Sequence, residues 1–229
     1  ALSGIPGSAG ATPVQNVGAY GAEIADVLTR VRLHNRETGV DEWASASSLE
    51  LAYRYSNLKF TSRAVVLEIE LQLEKTDESI PLRHLGGARV PLAHARESVL
   101  ETRRAKGMVL DASDHDTWSA GSFFTNPVVP SALADEIAAH VGEDAMPRFA
   151  AGDGKEKLSA AWLIERAGCH RGFPGDDAPA RLSTKHTLAL TNRGNASAAD
   201  IVDLARRVQA QVRDAFGVEL HPEPVWVGL

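Results

Sequence analysis

The sequence predicts an α+β protein from three observations: strand-like alternation concentrated in the first third, helical periodicity later, and no regular strand–helix–strand rhythm. In the first third, Val27, Thr29, Val31 and Leu33 alternate with Leu28, Arg30 and Arg32 before a turn signal at Asn35 to Gly39. Leu67, Ile69, Leu71 and Leu73 alternate with Glu68, Glu70 and Gln72, the pattern of a half-buried strand. From Pro91 the period changes. Leu92, Ala95, Val99 and Leu100 fall near one face and Gly107 follows, which predicts a helix of about four turns. The polar run from Asp111 to Asp116 predicts a domain boundary. Beyond it, helices are expected at Ser131 to Val141, Ser159 to Ala167 and Ala198 to Phe216. The last is best marked, with Ser197 and Asp200 at capping-box spacing, Ile201, Ala205, Val208, Val212 and Phe216 on one side, and Gly217 after it. Strands at Thr187 to Leu190 and Val225 to Val227 complete the set.

With 229 residues, 44% of them hydrophobic, the chain can build one large or two modest cores. A net charge of −6 argues against a broad nucleic-acid surface, so any anionic ligand must be met by local donors. No apolar stretch approaches the roughly 20 residues that span a bilayer, and a cytoplasmic protein without a membrane partner is expected. Cys169 is the sole cysteine; it fits a reducing compartment and reads as structural. The eight histidines are scattered, without His-Glu-x-x-His or cysteine pairs. His115 between Asp114 and Asp116 reads as a solvated acidic turn, and no metal is expected. A dinucleotide fingerprint between a strand and a helix is also missing, which disfavours a Rossmann domain. The chain enters a glycine-rich turn directly after Ala-Leu-Ser and is expected to be a piece of a longer protein.

Four separated segments carry candidate chemistry. In Gly121-Ser122-Phe123-Phe124-Thr125-Asn126-Pro127 a hydroxyl follows a flexible residue and precedes two aromatics, without the Gly-x-Ser-x-Gly of a serine nucleophile. Ser122 is instead a candidate proton donor, a role that requires a strongly basic centre such as a carbanion. Arg54, between Tyr53 and Tyr55, can offer a planar guanidinium to a carboxylate or can lie along aromatic rings at the surface. Glu223 is held between Pro222 and Pro224, a rigidity that suits an aimed acid and equally an edge-strand end. Residues 3–21 are rich in glycine, so the backbone can approach another molecule closely or form an irregular buried loop.

Taken in order, these segments resemble the flavin-dependent UDP-N-acetylenolpyruvoylglucosamine reductases of bacterial cell-wall synthesis. Leu2 to Gly21 is similar to the family's second flavin-contacting loop, Tyr53-Arg54-Tyr55-Ser56 with Asn57-Leu58-Lys59 to its Tyr-Arg-x-Ser segment, and Gly121 to Pro127 to its serine motif. Leu158 to Gly168, Ser183 to His186 through Asn192, and Pro222-Glu223 extend the match over nearly the whole chain. The resemblance implies part of a flavin-binding domain of the vanillyl-alcohol-oxidase-like type over residues 1–110, an α+β substrate domain over 111–216, and a strand over 217–229 that returns to the first domain. It implies FAD and NADPH as cofactors, a nucleotide-sugar substrate, and a monomer or weak oligomer. In the reaction so implied, a hydride passes from NADPH through FAD to the enolpyruvyl methylene carbon. Arg54 would bind the substrate carboxylate, Glu223 would assist its polarisation, and Ser122 would deliver the closing proton. Gly7, Ser8, Gly10, Asn16, Gly18 and Tyr20 would meet the flavin, while Lys106, Asn126 and Lys157 would meet the uridine diphosphate. Three departures stand beside the match. The family's first flavin-binding subdomain does not precede Ala1, so this chain alone is expected to bind FAD poorly, and its turnover alone stays open. The region around His84 to Gly87 lacks a lid tyrosine. Phe149 stands where other members place a tyrosine. Another FAD oxidoreductase on a related scaffold, or a non-catalytic nucleotide-sugar-binding fragment, are the rival readings.

Overall fold

Apolar residues gather into two separate cores, in keeping with a division of the chain into two units, Ala1–Arg103 and Arg104–Leu229. The computed structural model describes residues 1–142 and 146–228.

In the first unit a 3₁₀ turn at Ala9–Gln15 leads to a minimal hairpin of β1 (Gly18–Ala19) and β2 (Ala22–Glu23). An antiparallel sheet follows, built from β3 (Leu28–Asn35), β4 (Asp41–Ser45) and β5 (Ala64–Leu71) in the order β4-β3-β5. Leu28, Val31 and Leu33 of β3 pack with Ile24, Leu49 and Leu58. The expected alternation in β5 fails at this point. The β3–β5 register shifts between Leu28 and Arg30 and again between Arg32 and Leu33. Each shift changes which face a following side chain occupies. Val66 and Ile69 therefore pack on the core, whereas Leu67, Leu71 and Leu73 are exposed. Arg30–Glu70, Arg32–Glu68 and His34–Asp41, each at 2.7 Å, line these strands. Exposed pairs of this kind contribute at most about 1 kcal/mol each, so the apolar face holds the sheet.

Helix α1 (Leu92–Ala105) buries Ala95, Val99 and Leu100, as its periodicity implies, whereas Leu92, expected on the same face, opens the helix and is exposed. The division between units falls in its last turn, ahead of the polar run 111–116 where the sequence suggests a boundary. Asp116 at the end of that run and Thr117 after it are buried, and the run is folded into the second unit.

In the second unit β6 (Val128–Pro130), α2 (Ser131–Val141), β7 (Arg148–Ala150) and β8 (Lys155–Leu158) form a small antiparallel sheet, order β6-β8-β7, with a helix on it. Helix α3 (Ala160–Arg166) starts at Ser159, whose hydroxyl accepts the Trp162 amide at 3.3 Å. Strands β9 (Ala180–Leu182) and β10 (Leu190–Asn192) pair antiparallel. Helix α4 (Ala198–Phe216) has the bounds, the Ser197/Asp200 capping box and the left-handed Gly217 that its sequence implies. It buries Val202, Ala205, Val208, Val212 and Phe216 and packs on α3, β9 and β10. Each such side chain contributes about 1.5–3 kcal/mol relative to exposure. Cys169 lies in this core, and burial pushes its thiol up from the usual value.

The strand expected at Thr187 to Leu190 begins only at Leu190. That expected at Val225 to Val227 does not form. The closing segment instead makes one bridge, Phe124 to Pro222, because Pro222 and Pro224 have no N–H to extend a ladder.

Candidate functional site

Arg54 sits at the tip of a tight turn closed by reciprocal Ala52–Tyr55 backbone bonds of 3.1 Å. Its φ of +54° is a costly conformation for a residue with a side chain, and the surrounding bonds hold it there. The guanidinium donates to the Gly18 carbonyl at 2.6 Å, lies 3.9 Å from Glu23 Oε1 and covers the Tyr53 ring at 5.0 Å. Glu23 in turn accepts from Asn16 Nδ2 at 2.8 Å.

Asn16 proves to be an internal bracket. Its Nδ2 also donates to the Ala52 carbonyl at 3.0 Å and its Oδ1 accepts the Ala25 amide at 3.0 Å, so the buried side chain ties the glycine loop to the Arg54 turn. Gly18 is likewise needed from within: a Cβ there would fall 2.7 Å from Glu23 Cγ and 2.8 Å from the Ala22 carbonyl. Tyr20 is tilted against His84 with centroids 4.6 Å apart, and the buried Arg103 guanidinium stands 5.2 Å over its ring. Gly7 and Ser8 are exposed, and at Gly7, with φ +114°, nothing lies within 4 Å of where a Cβ would be. A Cβ at Gly10 would be 3.5 Å from the Val66 carbonyl. The stretch Gly7 to Gly10 thus offers accessible main chain to a large polar cofactor, and it fits the flavin that the resemblance implies. Asn16 and Gly18 hold the shape of that loop.

In the second unit the chain runs Ser122 to Thr125 beside His221 to Glu223. Glu223 donates its amide to the Phe123 carbonyl at 2.8 Å, Thr125 donates to the His221 carbonyl at 3.0 Å, and Phe123 donates to the Leu188 carbonyl at 2.8 Å. The first two of these bonds bring the Ser122 and Glu223 segments side by side although about a hundred residues separate them in sequence. Phe123 and Phe124, both buried, anchor the strip in the core, while Gly121 at φ +81° turns the chain into Ser122. Asn126 Oδ1 accepts the Ala160 amide at 3.0 Å, which leaves Nδ2 as its donor end. Lys157 lies in β8 between Val128 of β6 and Phe149 of β7. Phe149 is more than half exposed beside it.

Lys106, the remaining candidate, belongs to a charged cluster that the sequence does not reveal. Its neighbour Gly107 turns at φ +67°, where a Cβ would lie 2.9 Å from the Asp116 carbonyl. Asp116 was expected in a solvated turn, yet it is buried. Its carboxylate accepts the Thr184 amide at 3.0 Å, the Thr184 hydroxyl, and Arg193 Nη1 at 3.0 Å. Burial alone would raise its pKa; the Thr184 donors and the Arg193 charge outweigh that and hold it below the ordinary value. Asp114 takes the Lys185 ammonium. Ser183 Oγ caps the same turn by accepting the Lys185 and His186 amides at 3.0 and 3.3 Å.

Burial first, and then the Lys106 and Arg171 charges, push the pKa of the half-buried His186 down to about 4. The unfolded chain takes up this proton near pH 6.5 and the folded chain only near 4, so stability is complete above pH 6.5 and falls as pH drops towards 4. The expected loss is about 2–3 kcal/mol after allowance for partial exposure. Urea unfolding followed from pH 7 to 4 checks this: H186Q should flatten that part of the profile, and an equal slope in both proteins would remove His186 as the cause.

Comparisons with known proteins point one way. The sequence profile of the UDP-N-acetylenolpyruvoylglucosamine reductase C-terminal domain matches residues 112–227. UDP-N-acetylenolpyruvoylglucosamine reductase 2 of Corynebacterium glutamicum is 63% identical over 240 residues, covering 100% of this chain and 65% of that protein. The reductase of Corynebacterium diphtheriae is 61% identical, covering 100% and 62%, and that of Mycolicibacterium gilvum is 58% identical, covering 99% and 67%. The chain thus spans about two thirds of the length of these relatives. The crystal structure of UDP-N-acetylenolpyruvylglucosamine reductase from Thermus caldophilus matches with a TM-score of 0.62 at 23% identity, over 97% of this chain and 61% of that one, which shows the shared fold.

Proposed function

Because this chain belongs to the UDP-N-acetylenolpyruvoylglucosamine reductase family, we propose that it serves the NADPH-dependent reduction of UDP-N-acetylglucosamine enolpyruvate to UDP-N-acetylmuramate, a step towards peptidoglycan precursors in the cytoplasm. The observation that carries this is identity of 52–63% to reductases of that name along the full chain. When bound, FAD would supply the two-electron redox chemistry that links NADPH to the enolpyruvyl group.

The rest falls to side chains. Hydride addition leaves negative charge on the neighbouring carbon and its carboxylate, and a guanidinium stabilises that charge more in the transition state than in the ground state. Arg54 takes this role. Its bond to the Gly18 carbonyl and its place beside Glu23 limit its rotamers before the substrate arrives. Glu223 acts as a hydrogen-bonded acid that assists polarisation of the substrate. Ser122 Oγ gives its proton to the carbanionic carbon and regains one from solvent, so the double bond receives one hydride and one proton in all. Lys106, Asn126 and Lys157 supply donors to the uridine diphosphate, which an acidic protein must meet locally. Gly7, Ser8 and Gly10 offer main chain to the flavin, with Tyr20 near its reacting side. The protein works as a monomer or weak oligomer.

Absorption spectroscopy of the full-length protein tests this. A flavin spectrum should bleach on anaerobic addition of NADPH and return on addition of the enolpyruvyl nucleotide sugar. A reduced flavin that this substrate fails to reoxidise would point to another acceptor, and a colourless protein that binds the nucleotide sugar would point to a binding fragment.

A further inference from the structure

We propose that Lys59 is a positioning residue whose ammonium sets the backbone of Arg54. Its side chain is buried, 7% exposed, although it carries a charge. Charges are seldom buried without a defined set of acceptors. Here Nζ donates to the Arg54 carbonyl and to Gln15 Oε1, each at 3.1 Å. One cation thereby ties the strained peptide of Arg54 to the end of the glycine-loop 3₁₀ turn. The turn behind it is itself fixed: Ser56 Oγ donates to the Val14 carbonyl at 2.6 Å, and the Lys59 amide donates to the Ser56 carbonyl at 3.0 Å. Phe60 follows at φ +63°, 69% exposed, with the ammonium 5.1 Å over its ring. Two positive-φ residues therefore flank a charged strut. A buried donor in a low-dielectric setting holds its acceptor in place more firmly than a surface lysine does. Without it, the Arg54 carbonyl loses the partner that opposes relaxation of φ, and the guanidinium leaves the position that Gly18 and Glu23 define.

The inference rests on Arg54 as the carboxylate-binding residue, so its test separates the two. In the full-length flavoprotein, K59M should lower kcat/KM for the enolpyruvyl nucleotide sugar about 10²-fold, the cost of a misplacement near 1 Å, while flavin reduction by NADPH stays within about threefold. R54K alone should cost about 10²–10³-fold in the same step. The K59M/R54K double variant should be no more than about threefold worse than R54K, because Lys59 acts through Arg54. Fully additive losses, or equal damage to both half-reactions, would overturn the positioning role and leave Arg54 standing. If R54K reduces the substrate at the normal rate, the assignment of Arg54 itself fails. K59Q, which keeps an N–H donor without the charge, should fall between wild type and K59M; should K59M not fold, the same cycle is read with K59Q.

Discussion

Ser122→Ala in the full-length protein is expected to slow reduction of the enolpyruvyl substrate by about 10²–10⁴-fold, the usual contribution of a positioned proton donor. Flavin reduction by NADPH should stay within about twofold, since no proton from Ser122 enters that half-reaction. Structural damage is a poor explanation for such a split. The backbone directly after Ser122 is held by the Phe123 amide on the Leu188 carbonyl and the Glu223 amide on the Phe123 carbonyl, both bonds of 2.8 Å that need no serine hydroxyl, and the serine side chain is only partly buried. Stopped-flow measurement of the two half-reactions separates the outcomes. Equal loss in both would argue for a misplaced flavin and against proton donation.

Asp116→Ala should be the most destabilising single change considered, lowering unfolding free energy by about 3–5 kcal/mol, as expected when one partner of a buried ion pair is removed. Four consequences meet at this residue. The Arg193 guanidinium loses its carboxylate, the Thr184 amide and hydroxyl lose their acceptor, and the turn carrying Lys185 and His186 loses its tie to the segment after α1. Urea denaturation of the variant checks the size, and a loss below about 1 kcal/mol would place Asp116 among ordinary surface acids. The pH signature differs from that of His186. Because the folded carboxyl is held below its ordinary value, its contribution is present above about pH 4 and disappears as pH falls through the folded pKa. The two residues therefore affect separate parts of the acid limb.

Helices were legible where local chemistry decides them. The 3.6-residue apolar stripe of α4, its Ser197/Asp200 box and Gly217 all lie within one segment, and the helix forms between those limits. Helix α2 coincides with its expected bounds, and α1 buries Ala95, Val99 and Leu100 of its expected apolar face but leaves Leu92 exposed in its first turn. Strands were legible only in outline. β5 was read at Leu67 to Leu73 with Ile69 correctly inward but Leu67, Leu71 and Leu73 wrongly so, because register shifts against β3 reset its faces and no local signal marks them. The short strands β6 to β9 were not read at all: three or four residues are too few to show a period of two.

By itself, the order of the motifs around Ser122, Arg54 and Glu223 determined the family. The short matches survive as local patterns in the chain. Tertiary structure alone decided which polar residues are supports: Asn16 bracketing the glycine loop, Lys59 under Arg54, and Asp116 buried beneath the Lys185–His186 turn. Their acceptors and donors come from residues up to 77 positions away, and burial rather than residue type turns a solvated charge into a fixed strut.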